Sequence, residues 1–387
     1  MVPSRRDVVG LIVLVAFTVA VAWPRSHRTR VAIRVESSPL VDRLALDVWQ
    51  EGDPTDVVVR DDALAELDAA GIAWQMLVPD IDEAARDEAA RIRSSHAGDW
   101  FDEFHDYGAI AEHLQALRAM APDRVSMQSI GASVEGRPLW ALRIGHGPTR
   151  MLVNGTEHAR EWLAAMVSTC VADRLVRDYD RDAKIKAFVD RTEVWVVPVV
   201  NPDGYQYSWS SDRYWRKNRR DRHGVDLNRN FAVGFGGAGS SNKESSQTYR
   251  GPHAFSEPES IALRDLARRE SFALHLDFHT YGQLLLYPWS YTHASADDHR
   301  QFAAIGDRIA TAMFVQHQTQ YQLQQAARLY LASGSVMDWM YGERAALSYV
   351  IELRPKGGSG FVVPPSEIRP TCDEGLAAVL ELRNTQE

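Results

Sequence analysis

From Trp100 onward the chain alternates helix-forming stretches with short apolar runs, at Met151 to Val153, Val194 to Val200, Ala273 to Phe278, Leu284 to Tyr287 and Ser348 to Leu353. Runs so apolar need cover on both faces, and helices between them supply it. This predicts an α/β domain on a mixed, largely parallel open sheet with helices on both faces. Such sheets bind ligands beyond the carboxyl ends of their strands. Here unusual polar residues gather where the runs stop. The 387 residues, 45% of them hydrophobic, are enough for this core and for more than one domain.

Ahead of it, Arg30 to Asp80 reads as a compact α/β module. Its strands are expected at Val31 to Val35, Val57 to Arg60 and Ile72 to Val78, with a helix from Asp62 to Ala70 stopped by Gly71. Residues 81–93 are rich in Ala, Glu, Asp and Arg without Pro or Gly, the composition of a helical connector running into Ser94-Ser95-His96-Ala97-Gly98. A domain boundary is expected there. Residues 1–22 have the parts of an export signal: Arg5 and Arg6, an apolar run from Val8, and Ala20 and Ala22 placed for cleavage. Ser4-Arg5-Arg6 also loosely resembles a twin-arginine signal. A membrane span needs ~20 apolar residues, so this short run favours removal over a retained anchor. The expected location is extracellular or periplasmic, with no stable membrane association after cleavage.

Lys and Arg total 43 against 52 Asp and Glu, a net charge of −9. A chain without a basic surface is a poor partner for nucleic acid, and small molecules or peptides fit better. The two cysteines, Cys170 and Cys372, cannot form a disulfide framework or a cysteine zinc cluster. They either pair in an oxidising compartment or stay as buried thiols.

The chemistry begins after Val153, in Asn154-Gly155-Thr156-Glu157-His158-Ala159-Arg160-Glu161. His158 and Glu161, three apart at a turn entering a helix, can bend onto one cation, although His-x-x-Glu occurs by chance about once in such a chain. A third ligand candidate ends another strand, in His275-Leu276-Asp277-Phe278-His279. In an extended strand His275 lies ~13 Å from His279, so only His279 is placed to join them. Two nitrogens and one carboxylate leave a fourth position open, as in catalytic zinc sites. Glu352 is a carboxylate inside an apolar run, where an unpaired charge is costly, and so is either paired, with Arg354 for instance, or the catalytic base. In the basic stretch Tyr214 to Arg220 and in Asp226-Leu227-Asn228-Arg229-Asn230-Phe231, an Arg-Asn pair suits a planar carboxylate.

Six strings occur in order: His-Ala-Arg-Glu-Trp, Val-Asn-Pro-Asp-Gly-Tyr, Trp-Arg-Lys-Asn-Arg, Asp-Leu-Asn-Arg-Asn-Phe, His-Thr-Tyr-Gly-Gln-Leu-Leu-Leu-Tyr-Pro and Ile-Glu-Leu-Arg-Pro. Together they resemble the pancreatic carboxypeptidase A/B family of zinc exopeptidases, from about Trp100 to the C-terminus. The resemblance implies one Zn2+ per chain on His158, Glu161 and His279, with Glu352 as general base and Arg216 stabilising the oxyanion. It implies that Asn228 and Arg229 hold the substrate's terminal carboxylate, Tyr330 caps it, and Arg160 and Tyr281 are secondary binding positions. Peptide and protein C-termini are the implied substrates.

By the same resemblance Met337 matches the residue at the base of the specificity pocket, where a soft apolar floor would favour apolar or aromatic C-terminal residues. Asp277 argues the other way if it reaches that pocket. It equally suits orienting a zinc ligand or pairing with an arginine. The N-terminal module resembles the family's inhibitory, ferredoxin-like propeptide, although it is shorter and its first helix is poorly marked. The implied organisation is a signal at 1–22, a propeptide at 27–80, a connector at 81–98 cut near Arg91 or Arg93 by an activating protease, and a catalytic domain at 99–387. An amidohydrolase of the same fold and a non-catalytic binding domain are the rivals. The intact clamp and base disfavour both.

Overall fold

The computed structural model describes residues 29–95, 98–344 and 346–384. The export segment expected at 1–22 therefore lies outside the described residues, as do His96 and Ala97 of the connector. Among the described residues no helix is long and apolar enough to cross a membrane.

The N-terminal module runs β1 (Arg30–Val35), α1 (Pro39–Leu44), β2 (Asp47–Gln50), β3 (Thr55–Arg60), α2 (Ala63–Ala69) and β4 (Trp74–Val78). Its four strands pair antiparallel in the order β2-β3-β1-β4, the ferredoxin-like arrangement. Strand alternation turns Val31, Ile33 and Val35 of β1 and Val57 and Val59 of β3 inward, where they pack on Val41 and Leu67 of the two helices. Sequence reading found β1, β3, α2 and β4 but missed α1 and β2. α1 is six residues, begins at a proline and is capped by Ser38, so it has almost no helical period to detect. The connector is α3 (Ile81–Ser94), whose N-cap Asp80 accepts from the Glu83 amide at 2.9 Å.

The main domain continues with α4 (Tyr107–Met120), β5 (Val125–Ala132), β6 (Pro138–Ile144), β7 (Thr149–Gly155), α5 (Trp162–Arg177), α6 (Ala183–Arg191), β8 (Thr192–Val197) and α7 (Pro202–Ser210). After a long irregular stretch come α8 (Pro258–Glu270), β9 (Leu274–Thr280), β10 (Leu284–Tyr287), α9 (His299–His317), β11 (Gln322–Gln325), α10 (Val336–Arg344), β12 (Leu347–Leu353) and α11 (Ile368–Asn384). The sheet order is β11-β10-β12-β9-β7-β8-β6-β5. The four central strands, β12, β9, β7 and β8, are parallel. Antiparallel pairing brings in β10 on one side and β6 and β5 on the other.

Alternation along the central strands separates packing from chemistry. Leu276 and Phe278 of β9, Met151 and Val153 of β7, and Tyr349 and Ile351 of β12 enter one large core with α5 and α11. The intervening residues, including Asn154, His275, Asp277, His279, Ser348 and Glu352, therefore share the opposite face. A disulfide joins Cys170 of α5 to Cys372 of α11, their Cα atoms 5.9 Å apart, which settles the open question of the two thiols.

Candidate active site

The parallel register of β9 and β12 sets His279 directly beside Glu352, at the carboxyl ends of both strands. At the end of β7 the chain leaves through Gly155 into the turn that carries His158 and begins α5 at Glu161. His158 Nδ1 lies 2.7 Å from Glu161 Oε1, and His279 Nδ1 lies 3.0 Å from Glu161 Oε2. The two Nδ1 atoms are 3.2 Å apart. His158 Nε2 is 3.3 Å from Asp226 Oδ1 and His279 Nε2 is 3.0 Å from Asp277 Oδ2, so each ring has a carboxylate acceptor for a proton on its far nitrogen. Two ring lone pairs and a carboxylate then converge on one point, a repulsive arrangement unless a cation sits there. All three residues are buried, and their donor atoms lie within 4.8 Å of one another. His275 is not part of this group: it bonds Ser348 Oγ and Asn154 Oδ1, each at 2.7 Å.

Residues 110–378 match the zinc carboxypeptidase family. The chain belongs to that family. As a zinc carboxypeptidase it is a metallopeptidase that removes C-terminal residues, and the His158, Glu161 and His279 group suits the family's single zinc. It is 32% identical to carboxypeptidase A1 of Bos taurus over 367 residues, covering 88% of this chain and 87% of that protein. It is equally 32% identical to carboxypeptidase B of Bos taurus over 338 residues, covering 84% and 79%. Among solved structures, thrombin activatable fibrinolysis inhibitor superposes with a TM-score of 0.85 at 28% identity, over 92% of this chain and 98% of that one. Carboxypeptidase A from Helicoverpa armigera superposes with a TM-score of 0.83 at 27% identity, covering 93% and 99%.

Around the metal-binding group of this zinc carboxypeptidase, Asp226 is the organiser that sequence reading quoted but did not assign. Its Oδ1 meets His158 Nε2 and accepts from the Asn228 amide at 3.0 Å, while its Oδ2 accepts from Arg216 Nη2 at 2.9 Å. Burial works against the Asp226 charge, but the guanidiniums of Arg216 and Arg229 hold its carboxyl well below the usual range. Arg216 Nε also donates to Asp226 Oδ2, at 3.2 Å, and the residue lines the chamber in front of the metal-binding group. Burial pushes the Glu352 carboxyl up to about 8, with Glu161 and Asp277 adding to the rise and His279 and Arg216 opposing it.

Arg229 is buried and oriented by its own Nε donating to Gly239 O at 2.8 Å and its Nη1 to Asn228 O at 2.9 Å. Asn228 Oδ1 accepts from the Val336 amide at 3.0 Å, tying the start of α10 to the Asn228–Arg229 turn. Gly334 permits this approach: its φ is +82°, and a Cβ there would meet Arg229 O at 2.4 Å. The Tyr330 ring stands 5.9 Å from the Arg229 guanidinium. Beside Asn228 and Arg229, a pocket is lined by Leu286, Ala326, Leu329, Met337 and Val350, with Ser290, Ser335 and Glu352 as polar members. Asp277 does not line it.

The remaining two expected binding residues touch the N-terminal module instead of open solvent. Arg160 donates from Nη1 to Asp47 Oδ2 at 2.6 Å and from Nη2 to Val48 O at 3.0 Å. Tyr281 donates its hydroxyl to Asp56 at 2.8 Å. Trp49 stacks on Tyr214 with ring centroids 5.1 Å apart, and α3 is anchored by a buried Glu88–Arg213 ion pair. A chamber remains between Trp49 and Glu51 of the module and Arg216, Arg229 and Tyr330 of the main domain.

Proposed function

We propose that this carboxypeptidase releases apolar or aromatic residues from peptide C-termini, and that it is made as a secreted precursor whose N-terminal module restrains it. In this reading His158, Glu161 and His279 hold one zinc and Glu352 is the general base. The observation that carries it is the convergence, at three strand ends, of the metal-binding group, the Glu352 carboxylate and an Arg229–Asn228 clamp opening onto the Met337 pocket.

The substrate's terminal carboxylate enters between Arg229 and Asn228, its side chain passes toward Met337, and Tyr330 stands over it. This docking brings the last peptide bond to Arg216 and Glu352. Bound zinc supplies Lewis acidity toward the scissile carbonyl and its attacking water. Glu352 takes the proton from that water and returns it to the leaving amine. Arg216, steadied by Asp226, stabilises the charge developing on the carbonyl oxygen. The contacts of Asp47, Val48 and Asp56 with Arg160 and Tyr281 cover the positions where the upstream part of a peptide would lie, which supports latency of the uncut chain.

The test is hydrolysis of blocked dipeptides with free and amidated C-termini by the trimmed enzyme. One zinc per chain, loss of activity with chelator, and a Glu352→Gln variant that keeps zinc but loses most turnover are expected. Amidation removes the charged partner of Arg229 and should lower kcat/KM by about 100-fold or more. Equal rates on acid and amide, or near wild-type turnover by Glu352→Gln, would overturn the assignment.

A further inference from the structure

Behind the metal-binding group lies a buried polar cluster that this mechanism does not use. Asn154, at the end of β7, is its hub. Its Nδ2 lies within donating distance of both Glu157 Oε1, at 2.7 Å, and Asp277 Oδ1, at 2.9 Å. Its Oδ1 accepts from His275 Nε2 at 2.7 Å, and the other His275 nitrogen then accepts from Ser348 Oγ, also at 2.7 Å. Donors and acceptors match along the whole line from Ser348 through His275 and Asn154 to Asp277, spanning three adjacent strands. Each of these residues, and Glu157 and His279, is at most 1% exposed.

The cluster ends on His279. If the zinc takes Nδ1, which faces Glu161, the remaining ring proton must sit on Nε2 and needs an acceptor. Three atoms are in reach of Nε2: Asp277 Oδ2 at 3.0 Å, Asn228 Nδ2 at 3.3 Å and Glu157 Oε2 at 3.5 Å. The Asn228 amide nitrogen can only donate, so it cannot take that proton. Asp277 is the near acceptor. Glu157 Oε2, buried and without a hydrogen-bond partner, stands behind it.

We infer that Asp277, locked by Asn154, is a positioning residue for His279: it fixes the ring's tautomer and plane and so tightens zinc binding, with Glu157 as an auxiliary acceptor. This rests on His279 being a zinc ligand. It also gives Asp277 a place other than the substrate pocket. A competing use exists on the same atoms, because Glu157, Asp277 and His279 could themselves hold a cation. One nitrogen cannot both carry the proton and bind a metal, so the two uses predict different stoichiometries.

The experiment compares full-length wild type, Asp277→Ala, Asp277→Asn and Glu157→Gln, measuring zinc dissociation constants by competition with a chromophoric chelator. Zinc content, the cobalt-substituted absorption spectrum and unfolding of the metal-free proteins are measured alongside. Wild type should bind one zinc. Asp277→Ala should weaken zinc by about 10–100-fold while its metal-free form remains folded. Asp277→Asn, whose carbonyl can still accept from Nε2, should recover part of the loss, and Glu157→Gln should lose less than Asp277→Ala. A folded Asp277→Ala with wild-type zinc affinity and cobalt spectrum overturns the inference. So does a wild type with two zincs of which Asp277→Ala loses one. If Asp277→Ala does not fold, Asp277→Asn decides: weaker binding with a changed spectrum supports the inference, and no change refutes it. A wild type that binds no zinc refutes the ligand assignment itself, whereas one zinc held equally by all variants refutes only the positioning role.

Discussion

On the proposed specificity, replacing Met337 by Asp should shift the preference from apolar to basic C-termini. Met337 is 2% exposed and belongs to one apolar cluster with Leu284, Leu286, Ala326 and Val350. A large apolar side chain seated there gains ~1.5–3 kcal/mol over one left in water, about 10- to 150-fold in kcat/KM. A lysine entering the same walls would bury an unpaired ammonium and lose by a comparable margin. Glu352 lines this pocket too, set beside His279 as the proposed base, and two further carboxylates lie nearby. Asp277 is turned to His279 and Asn154. Asp338 is consumed by Ser290 and Tyr291, accepting their amides at 2.9 and 3.0 Å. Neither is free to greet a basic side chain. In Met337→Asp the new carboxylate pairs with Lys or Arg and faces Phe or Leu unpaired, so the Lys-to-Phe ratio of kcat/KM should rise by about two decades or more. The assay is kcat/KM on blocked dipeptides ending in Phe, Leu, Lys and Arg, for wild type, Met337→Asp and Asp277→Ala. A tenfold preference of the wild type for Lys or Arg would refute the reasoning. Its disappearance in Asp277→Ala would then identify the carboxylate responsible.

Trypsin trimming of the connector should raise activity about tenfold or more, because it frees Arg160 and Tyr281 from Asp47 and Asp56; a fully active uncut chain would count against latency. Cutting should favour Arg93, which is exposed, over Arg91, which is paired with Glu103 at 2.6 Å, and mass spectrometry of the products reads the site. Activity should be lost as pH falls, since only the Glu352 carboxylate accepts the water's proton. Burial, only partly opposed by His279 and Arg216, pushes that group up to about 8 and a bound dication draws it back down, so the acid limb of kcat/KM should lie below 8. A rate unchanged down to about pH 4 would exclude this base. Replacing Cys170 and Cys372 by Ala should lower stability by about 2–5 kcal/mol, as the bridge spans 202 residues; an unchanged denaturation midpoint would show that packing of α5 on α11 suffices.

Much of this site was legible in the chain itself. His158 and Glu161 are near neighbours at a strand-to-helix turn, and the apolar runs ending at Val153 and Phe278 and enclosing Glu352 already implied strand ends meeting in one crevice. Spacing along an extended strand was enough to part His275 from His279, because a fixed rise per residue is a local property. The module's α1 and β2 escaped notice because six helical and four strand residues carry too little periodicity.

Other features depended on register and long-range contact, which no local pattern encodes. The pairing of β9 with β12 sets Glu352 beside His279, and the pairing of β9 with β7 sets Asp277 beside Asn154. One sequence reading left Asp277 three possible uses, since alternation fixes only the face a side chain shares and not the neighbour it meets. A carboxylate taken out of water must find donors, and Asp277 meets one, Asn154, from a strand 123 residues away and the other, His279, two residues along its own strand. The residue types and their order thus determined the family and the reaction, whereas the packing of distant strands decided which side chains meet: Glu352 beside His279, and Asp277 beside Asn154.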